Sequence, residues 1–242
     1  MGTSIHSTQS AKPASEKFND ESTMKDVLAQ IISTRRTVRR YDDKPVPHEK
    51  LEALLRFSTH APSACNRRGW RFILIEEQRE LDWLYVKGGA AFIPKGKQAI
   101  LACYFRHTDN GEWRDVEQSA AAAIAYFQLL AHAEGIGSCW ICHLPPRGEV
   151  RRHFKIPSNY TPVALLTVGY YIKGMDFPVR NTEVDEILAL KEWVFAEAPN
   201  KDAVGVKLLL RRVFRKMYYL FPKREWLRNL THKFEKKFEN HD

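Results

Sequence analysis

Two hydrophobic periodicities alternate along this chain. Residues 26–35 carry Val27, Ile31 and Ile32 at helical spacing, and residues 48–58, entered through Pro47, carry Leu51, Leu54 and Leu55 in the same way. Apolar positions three and four apart line one stripe of a helix. Residues 71–76, 99–105 and 162–170 are compact apolar runs and read as buried strands. A short helix over 80–86 is followed by breakers at Gly88, Gly89 and Pro94. Residues 112–134 form the longest helical pattern, include an alanine run at 120–123, and stop at Gly135. Such small side chains suit a central, closely packed helix. Helices interspersed with a few strands, without regular βαβ alternation, predict an α+β fold.

Beyond a linker near 196–202 the pattern changes. Val206, Leu209, Leu210, Val213, Met217 and Leu220 share one helical face, opposed by Lys207, Arg211, Arg212, Arg215 and Lys216. After Pro222, Trp226, Leu230, Phe234 and Phe238 recur every fourth residue with lysines between them. Both segments are amphipathic. The opening is polar and rich in Ser, Thr and Lys, as in a disordered leader, with Met24 offering an internal start. The expected organisation is a leader over 1–23, a globular domain over 24–195 and a basic helical tail over 196–242.

Composition adds two constraints. The chain of 242 residues is 44% hydrophobic and 28% charged, which places it among globular proteins, and no apolar run reaches the length of a membrane span. Its formal charge of +9 is uneven, because residues 201–242 hold 12 Lys+Arg against 5 Asp+Glu. A nearly neutral body with a basic tail points to an acidic partner surface for the tail. Four cysteines in a chain of this length do not make a disulfide framework, and no secretion signal opens it. Reduced thiols and a cytoplasmic location are expected.

Three dense clusters carry the candidate chemistry. The first is Arg35-Arg36-Thr37-Val38-Arg39-Arg40-Tyr41. Guanidinium forks with an interleaved hydroxyl suit a phosphate monoester, although basic residues at a helix end also complement its dipole. The second is Ala61-Pro62-Ser63-Ala64-Cys65-Asn66-Arg67-Arg68-Gly69-Trp70. Its short polar groups could hold the polar edges of a planar heterocycle, or could simply shape a helix-to-strand loop. The third, Gly135-Ile136-Gly137-Ser138-Cys139-Trp140, continues through Ile141, Cys142 and His143. The string C-x-x-C-H matches covalent haem attachment, but that chemistry belongs outside the cytosol. A redox dithiol would need its first cysteine at a helix N-terminus, and zinc would need two more ligands. A buried strand containing two cysteines fits the local pattern better. His60, His107, His132 and His153 stand alone in the sequence, and no side chain is assigned a catalytic role.

With these clusters in order, the chain resembles the FMN-dependent nitroreductase superfamily. The carrying motifs are 35–41, 61–70, the G-[IL]-G-x-x-W pattern at 135–140, and Val168-Gly169-Tyr170 followed by Pro178-Val179-Arg180. The resemblance spans roughly residues 27–190. It implies a central mixed β-sheet flanked by helices, and a homodimer with FMN in its interface. Arg35, Thr37, Arg39 and Arg180 would hold the phosphate and ribityl chain, with Arg36 nearby. Pro62, Ser63, Ala64 and Asn66 would line the isoalloxazine, partly from the other subunit, and Trp140, Ile141, Cys142 and His143 would pass along the ring. NAD(P)H would be the co-substrate and a small organic acceptor, a nitroaromatic or quinone, would be reduced in turn.

The chain departs from the family pattern in three places. Arg67-Arg68-Gly69 replaces x-Gln-Pro, which is expected to loosen the turn and to bring two cations near the ring. The stretch 81–97 is short where many relatives carry a substrate-covering insertion. The tail is additional, and two occupations are open to it: peripheral contact with an anionic membrane, bringing a lipid-linked acceptor within reach, or packing on the dimer. Nucleic-acid binding through its interleaved arginines and aromatics is disfavoured, because no nucleic-acid fold accompanies them.

Overall fold

A computed structural model describes residues 21–108, 111–171, 187–189, 191–192 and 213. The leader through residue 20, the Pro178–Arg180 motif and, Val213 apart, the basic tail lie outside the described residues. The chain divides into two compact units, Met1–Thr34 and Arg35–Asp242. In the first, α1 (Glu21–Thr34) runs through the leader boundary expected at residue 23 and presents Met24, Val27, Leu28 and Ile32 about half exposed. Among the described residues no helix is long and apolar enough to cross a membrane.

Among the described residues the second unit has four strands: β1 (Trp70–Ile75), β2 (Gln98–Phe105), β3 (Ile136–Ile141) and β4 (Tyr160–Tyr170). Their order is β1-β2-β4-β3, and every neighbouring pair is antiparallel. Among the described residues the parallel component of the expected mixed sheet is a one-residue bridge between Thr37 and Ser138. The antiparallel sheet with its helices is an α+β arrangement.

Alternation along the strands divides the core. Ile100 and Ala102 pack with Leu51 and Leu54 of α2 (His48–Ser58) and with Ile124 and Phe127 of α4 (Asp115–Ala133). Ala99, Leu101 and Cys103 point the other way, against Leu81 and Leu84 of α3 (Gln78–Val86) and Val150 of α5 (Arg147–His153). Period-two side chains on a central strand therefore feed both layers. Burial of one such leucine contributes roughly 1.5–3 kcal/mol, and burial also pushes the Cys103 thiol up to about 12. The alanine run behaves as expected: Ala120 and Ala123 are buried against Trp70 and Tyr104. Gly135 ends the turn after α4 at φ 71°, a conformation open to glycine without strain.

Two expectations are corrected here. The run at 71–76 is not a fully buried strand, because β1 lies at the sheet edge, with Trp70 and Ile75 buried and Arg71 exposed. His153 is not alone: it hydrogen-bonds Glu80 and stacks on Trp83 at 3.6 Å between ring centroids, so it joins α5 to α3. The helix α5 itself, seven residues behind Pro146, is too short to leave a periodic trace in the sequence.

The segment after α1 is fastened along the opposite edge. The Val38 N–H donates to the Ser138 carbonyl at 3.1 Å, and the Asp42 N–H donates to the Tyr170 carbonyl at 2.7 Å. The Tyr41 hydroxyl donates to the Val38 carbonyl at 2.6 Å and lies 2.9 Å from the Thr167 hydroxyl. Val38 and Tyr41 are buried because the strands beneath them are bare: a Cβ on Gly137 would stand 2.8 Å from the Val38 Cβ, and one on Gly169 would stand 2.8 Å from the Tyr41 ring. Gly137→Val is therefore expected to destabilise the fold by about 1–3 kcal/mol through overpacking, read as a lowered midpoint of denaturant unfolding. An unchanged midpoint would show that Val38 is not locked against β3.

Candidate functional site

Fixing Val38 and Tyr41 to the sheet determines where the intervening and preceding side chains emerge. Arg35, Arg36, Thr37 and Arg39 are all half-buried, while Arg40 is exposed. The Arg36 guanidinium donates to the Arg35 carbonyl at 2.9 Å, and that of Arg39 lies over the Phe92 ring at 5.4 Å. Behind Thr37, buried Ser138 accepts at its hydroxyl from the Gln128 amide of α4 at 3.2 Å. His132, one turn further along α4, is held below its ordinary value of 6.5 by burial and by the neighbouring Arg35 and Arg36 charges. These arginines thus form a local positive field at the end of α4, as a phosphate site requires.

The third cluster continues from the same strand. Thr37 pairs with Ser138, and Trp140 to His143 follow at a rise of about 3.3 Å per residue, so Cys142 lies roughly 13 Å beyond the arginine segment. Cys139 is buried in the core, whereas Cys142 is exposed, so the two cysteines of C-x-x-C-H serve different environments. The His143 carbonyl accepts from the Ala90 N–H at 3.0 Å, which pins the end of this segment. Trp140 Nε1 is buried and has no acceptor among the described residues. The Trp140 side chain lines a cavity of about 390 Å³ together with Cys142.

The second cluster is a tight three-residue turn, Ala64–Asn66, between α2 and β1. Cys65, Asn66 and Arg68 all have left-handed backbone angles, with φ of 50°, 52° and 48°. The Ala64 N–H donates to the Ser119 hydroxyl of α4 at 3.0 Å, and the Arg68 N–H donates to the Ser63 hydroxyl at 3.1 Å. Pro62 and Asn66 are exposed, Ser63 and Ala64 half-buried. The expected loosening at Gly69 is corrected. Gly69 is buried, its carbonyl accepts from the Phe105 N–H at 2.9 Å, and a Cβ there would stand 2.9 Å from both Phe105 and Tyr104. Glycine is needed for close approach to β2, and the turn is tight. The two preceding cations are also tied down: Arg67 donates to the His107 carbonyl at 2.7 Å, and Arg68 donates to the Asn66 side-chain oxygen at 2.9 Å.

The first and third clusters share the β3 edge, whereas the second leads into β1 at the opposite edge. Three strand spacings separate those edges, about 14 Å. Their anchors on α4, Gln128 and Ser119, are likewise about 14 Å apart along the helix. Within one chain, Thr37 and Asn66 therefore stand at opposite edges of the sheet. Gln128, Ser119, Ser138 and the bare backbone of Gly137 were not predicted as site residues. Their only signal is spatial, since each is an ordinary residue of a helix or strand until the packing is known.

The residues at the β3 edge fit a flavin mononucleotide. Half-buried guanidiniums and the Thr37 hydroxyl gather at one end, while the buried Trp140 indole N–H, without an acceptor among the described residues, lies two residues along β3 from Ser138, about 7 Å away. An orphaned buried donor calls for a partner, and a heterocycle carbonyl is of the right kind.

Comparison with known proteins bears on the same residues. The model of the Nitroreductase family matches residues 32–87 and 83–170, more than half of the chain, and the chain belongs to that family. A Methanothermobacter thermautotrophicus protein provisionally named NADH dehydrogenase/NAD(P)H nitroreductase is 32% identical over 151 residues, covering 60% of this chain and 77% of the relative. An iodotyrosine deiodinase of Thermotoga neapolitana is 27% identical, over 60% of this chain and 88% of its own. Among solved structures, an FMN-dependent nitroreductase of Clostridium difficile superposes with a TM-score of 0.59 at 26% identity, covering 68% of this chain and 99% of that one. The activity class is accordingly that of a nitroreductase-type oxidoreductase.

His132 reports on the arginine field. Its folded value is depressed, so its contribution to stability is complete above the unfolded value near 6.5 and is lost as pH falls through the folded one. An anion held by Arg35 and Arg36 offsets their charge, so adding FMN is expected to raise the His132 pKa in a proton NMR titration. An identical titration with and without FMN would remove these two arginines from a phosphate site.

Proposed function

We propose that this chain is an FMN-dependent NAD(P)H oxidoreductase, active as a homodimer, that reduces a small organic acceptor such as a nitroaromatic or quinone. The observation that carries the reading is the β3 edge. There the arginine segment and the Trp140–His143 segment share one strand, with a buried indole N–H left to donate. In this reading Arg35, Thr37 and Arg39, with Arg180, hold the phosphate and ribityl chain, and Arg36 strengthens the field. Pro62, Ser63, Ala64 and Asn66 come from the second copy. Their place at the far edge of the sheet supports a second copy as their source.

Bound FMN supplies reversible two-electron chemistry at its ring, which the side chains alone do not. The chain's own contribution is placement and field. The pinned His143 carbonyl holds the 140–143 backbone in one course, and the rigid turn at 63–66 presents its polar groups without a search. Half-buried cations near the ligand also favour anionic over neutral forms. The names borne by the Methanothermobacter relative and the Clostridium difficile structure agree with NAD(P)H as donor and FMN as cofactor.

Purified protein is expected to be yellow, or to become so with added FMN, and NADH or NADPH should bleach the flavin bands anaerobically. Colourless protein that ignores FMN would sink the proposal. Arg39→Ala should weaken FMN binding about 10- to 100-fold, the scale of one charge-assisted hydrogen bond, by fluorescence titration. Co-expression of Arg39→Ala and Asn66→Ala chains should restore flavin binding relative to either variant alone, because one of the two interfaces in a mixed dimer is then intact. No restoration would place both residues in a site within one subunit.

A further inference from the structure

We propose that an arginine-lined cleft at the start of α4 receives the anionic group of a substrate whose flat apolar body fills the adjoining cavity beside Trp140. This inference rests on the flavin reading above and specifies which molecules visit that site.

The cleft, about 360 Å³, is lined by Arg106, Arg114, Arg147 and Arg151 together with Asp115 and Glu117. Among the described lining residues, four guanidiniums against two carboxylates leave it net positive. Arg147 and Glu117 meet at 3.3 Å, and Arg106 donates to the Ser158 carbonyl at 3.3 Å, so both keep further donors for a ligand. Two polar atoms have no partner among the described residues. Arg151 Nε is buried without an acceptor, and Asp115 Oδ1 is buried without a donor, although Asp115 Oδ2 accepts from the Thr108 hydroxyl. Asp115 as a whole is only 9% exposed. Leaving such groups unsatisfied is costly. An anion with an adjacent hydroxyl or N–H would satisfy the two together, its charge toward Arg151 and its donor toward Asp115.

The cleft is not isolated. Glu117 and Arg147 also line the 390 Å³ cavity that ends at Trp140 and Cys142. Between those ends its walls are apolar, formed by Ala121, Leu144, Pro145, Val150, Pro162 and Val163. A charged mouth, an apolar slot and a terminal indole donor thus follow one another from the surface to the proposed flavin segment. That order matches an aromatic or similarly flat body carrying a carboxylate or phosphate at its outer end. The anion could belong to the electron acceptor or to the phosphate of the nicotinamide donor, and the chemistry of recognition is the same for both.

The test uses the full chain and a matched pair of ligands, 4-nitrobenzoate and neutral 4-nitrobenzyl alcohol, titrated calorimetrically into wild type, Arg106→Ala and Arg114→Asn. Both arginines are exposed, and asparagine tolerates the left-handed backbone at residue 114, φ 50°. The anion should bind about tenfold more tightly than the alcohol, consistent with one charge-assisted hydrogen bond. That preference should shrink with added salt and nearly vanish in the variants. If instead the KM for NADPH rises in the variants while those for NADH and 4-nitrobenzoate hold, the anion site stands and belongs to the donor. If neither the anion preference nor the NADPH-to-NADH selectivity moves while NAD(P)H still bleaches the flavin, the cleft proposal is overturned and the proposed function survives. Protein that takes no flavin would defeat the function, and calorimetry on it would still judge the cleft.

Discussion

Val38 lies directly over the backbone of Gly137, and Tyr41 lies over Gly169. The arginine segment can reach the sheet only because two strand positions carry no side chain. This steric fit, closed by the Tyr41 hydroxyl between Val38 and Thr167, converts a run of charged residues into an edge of the sheet. Without it, Arg35 to Arg39 would be a flexible basic linker after α1, and their charges would be spent on solvent. With it, their side chains leave from fixed points beside Ser138, and every distance within the proposed cofactor cradle is inherited from the β3 ladder.

The same economy governs the opposite edge. The turn at 64–66 takes three consecutive close-set constraints: left-handed residues, a hydroxyl from Ser119, and a glycine pressed against β2. Such backbone strain is stable only where the surroundings over-determine it, and here α4 and β2 do so. The central helix α4 thereby carries both halves of the arrangement, Ser119 beneath one cluster and Gln128 and His132 beneath the other. A rigid helix thus fixes the spacing between the two clusters at opposite sheet edges.

Much of the fold was legible from periodicity. The helix at 48–58 matches α2, the strands at 99–105 and 162–170 begin within two residues of β2 and β4, and the stop at Gly135 is where α4 gives way to β3. These elements bury strong apolar patterns, so local sequence and tertiary packing agree. The edge character of β1 was not legible, because Phe72, Ile73 and Leu74 look the same whether one or both sides are covered. Nor was α5, where Pro145 and Pro146 hide a helix of only two turns. The motif clusters were legible as chemistry, yet the role of Gly69 was inverted, since a glycine in a sequence does not reveal whether it grants freedom or admits a neighbour.

The primary structure by itself determined which residue types are present at which spacing: guanidiniums around a threonine, a proline-serine-asparagine turn, a glycine-framed strand, and the α+β alternation that carries them. It did so because those features are local, set by side-chain chemistry and by periods of two and 3.6. Only the tertiary structure decided which of them meet. Sheet order put the arginines and Trp140–His143 on one edge and the Pro62–Asn66 turn on the other, and packing at the head of α4 gathered Arg106, Arg114, Arg147 and Arg151 from separate segments. Strand order and helix docking are long-range choices, made by the burial of whole faces, and no single stretch of sequence contains them.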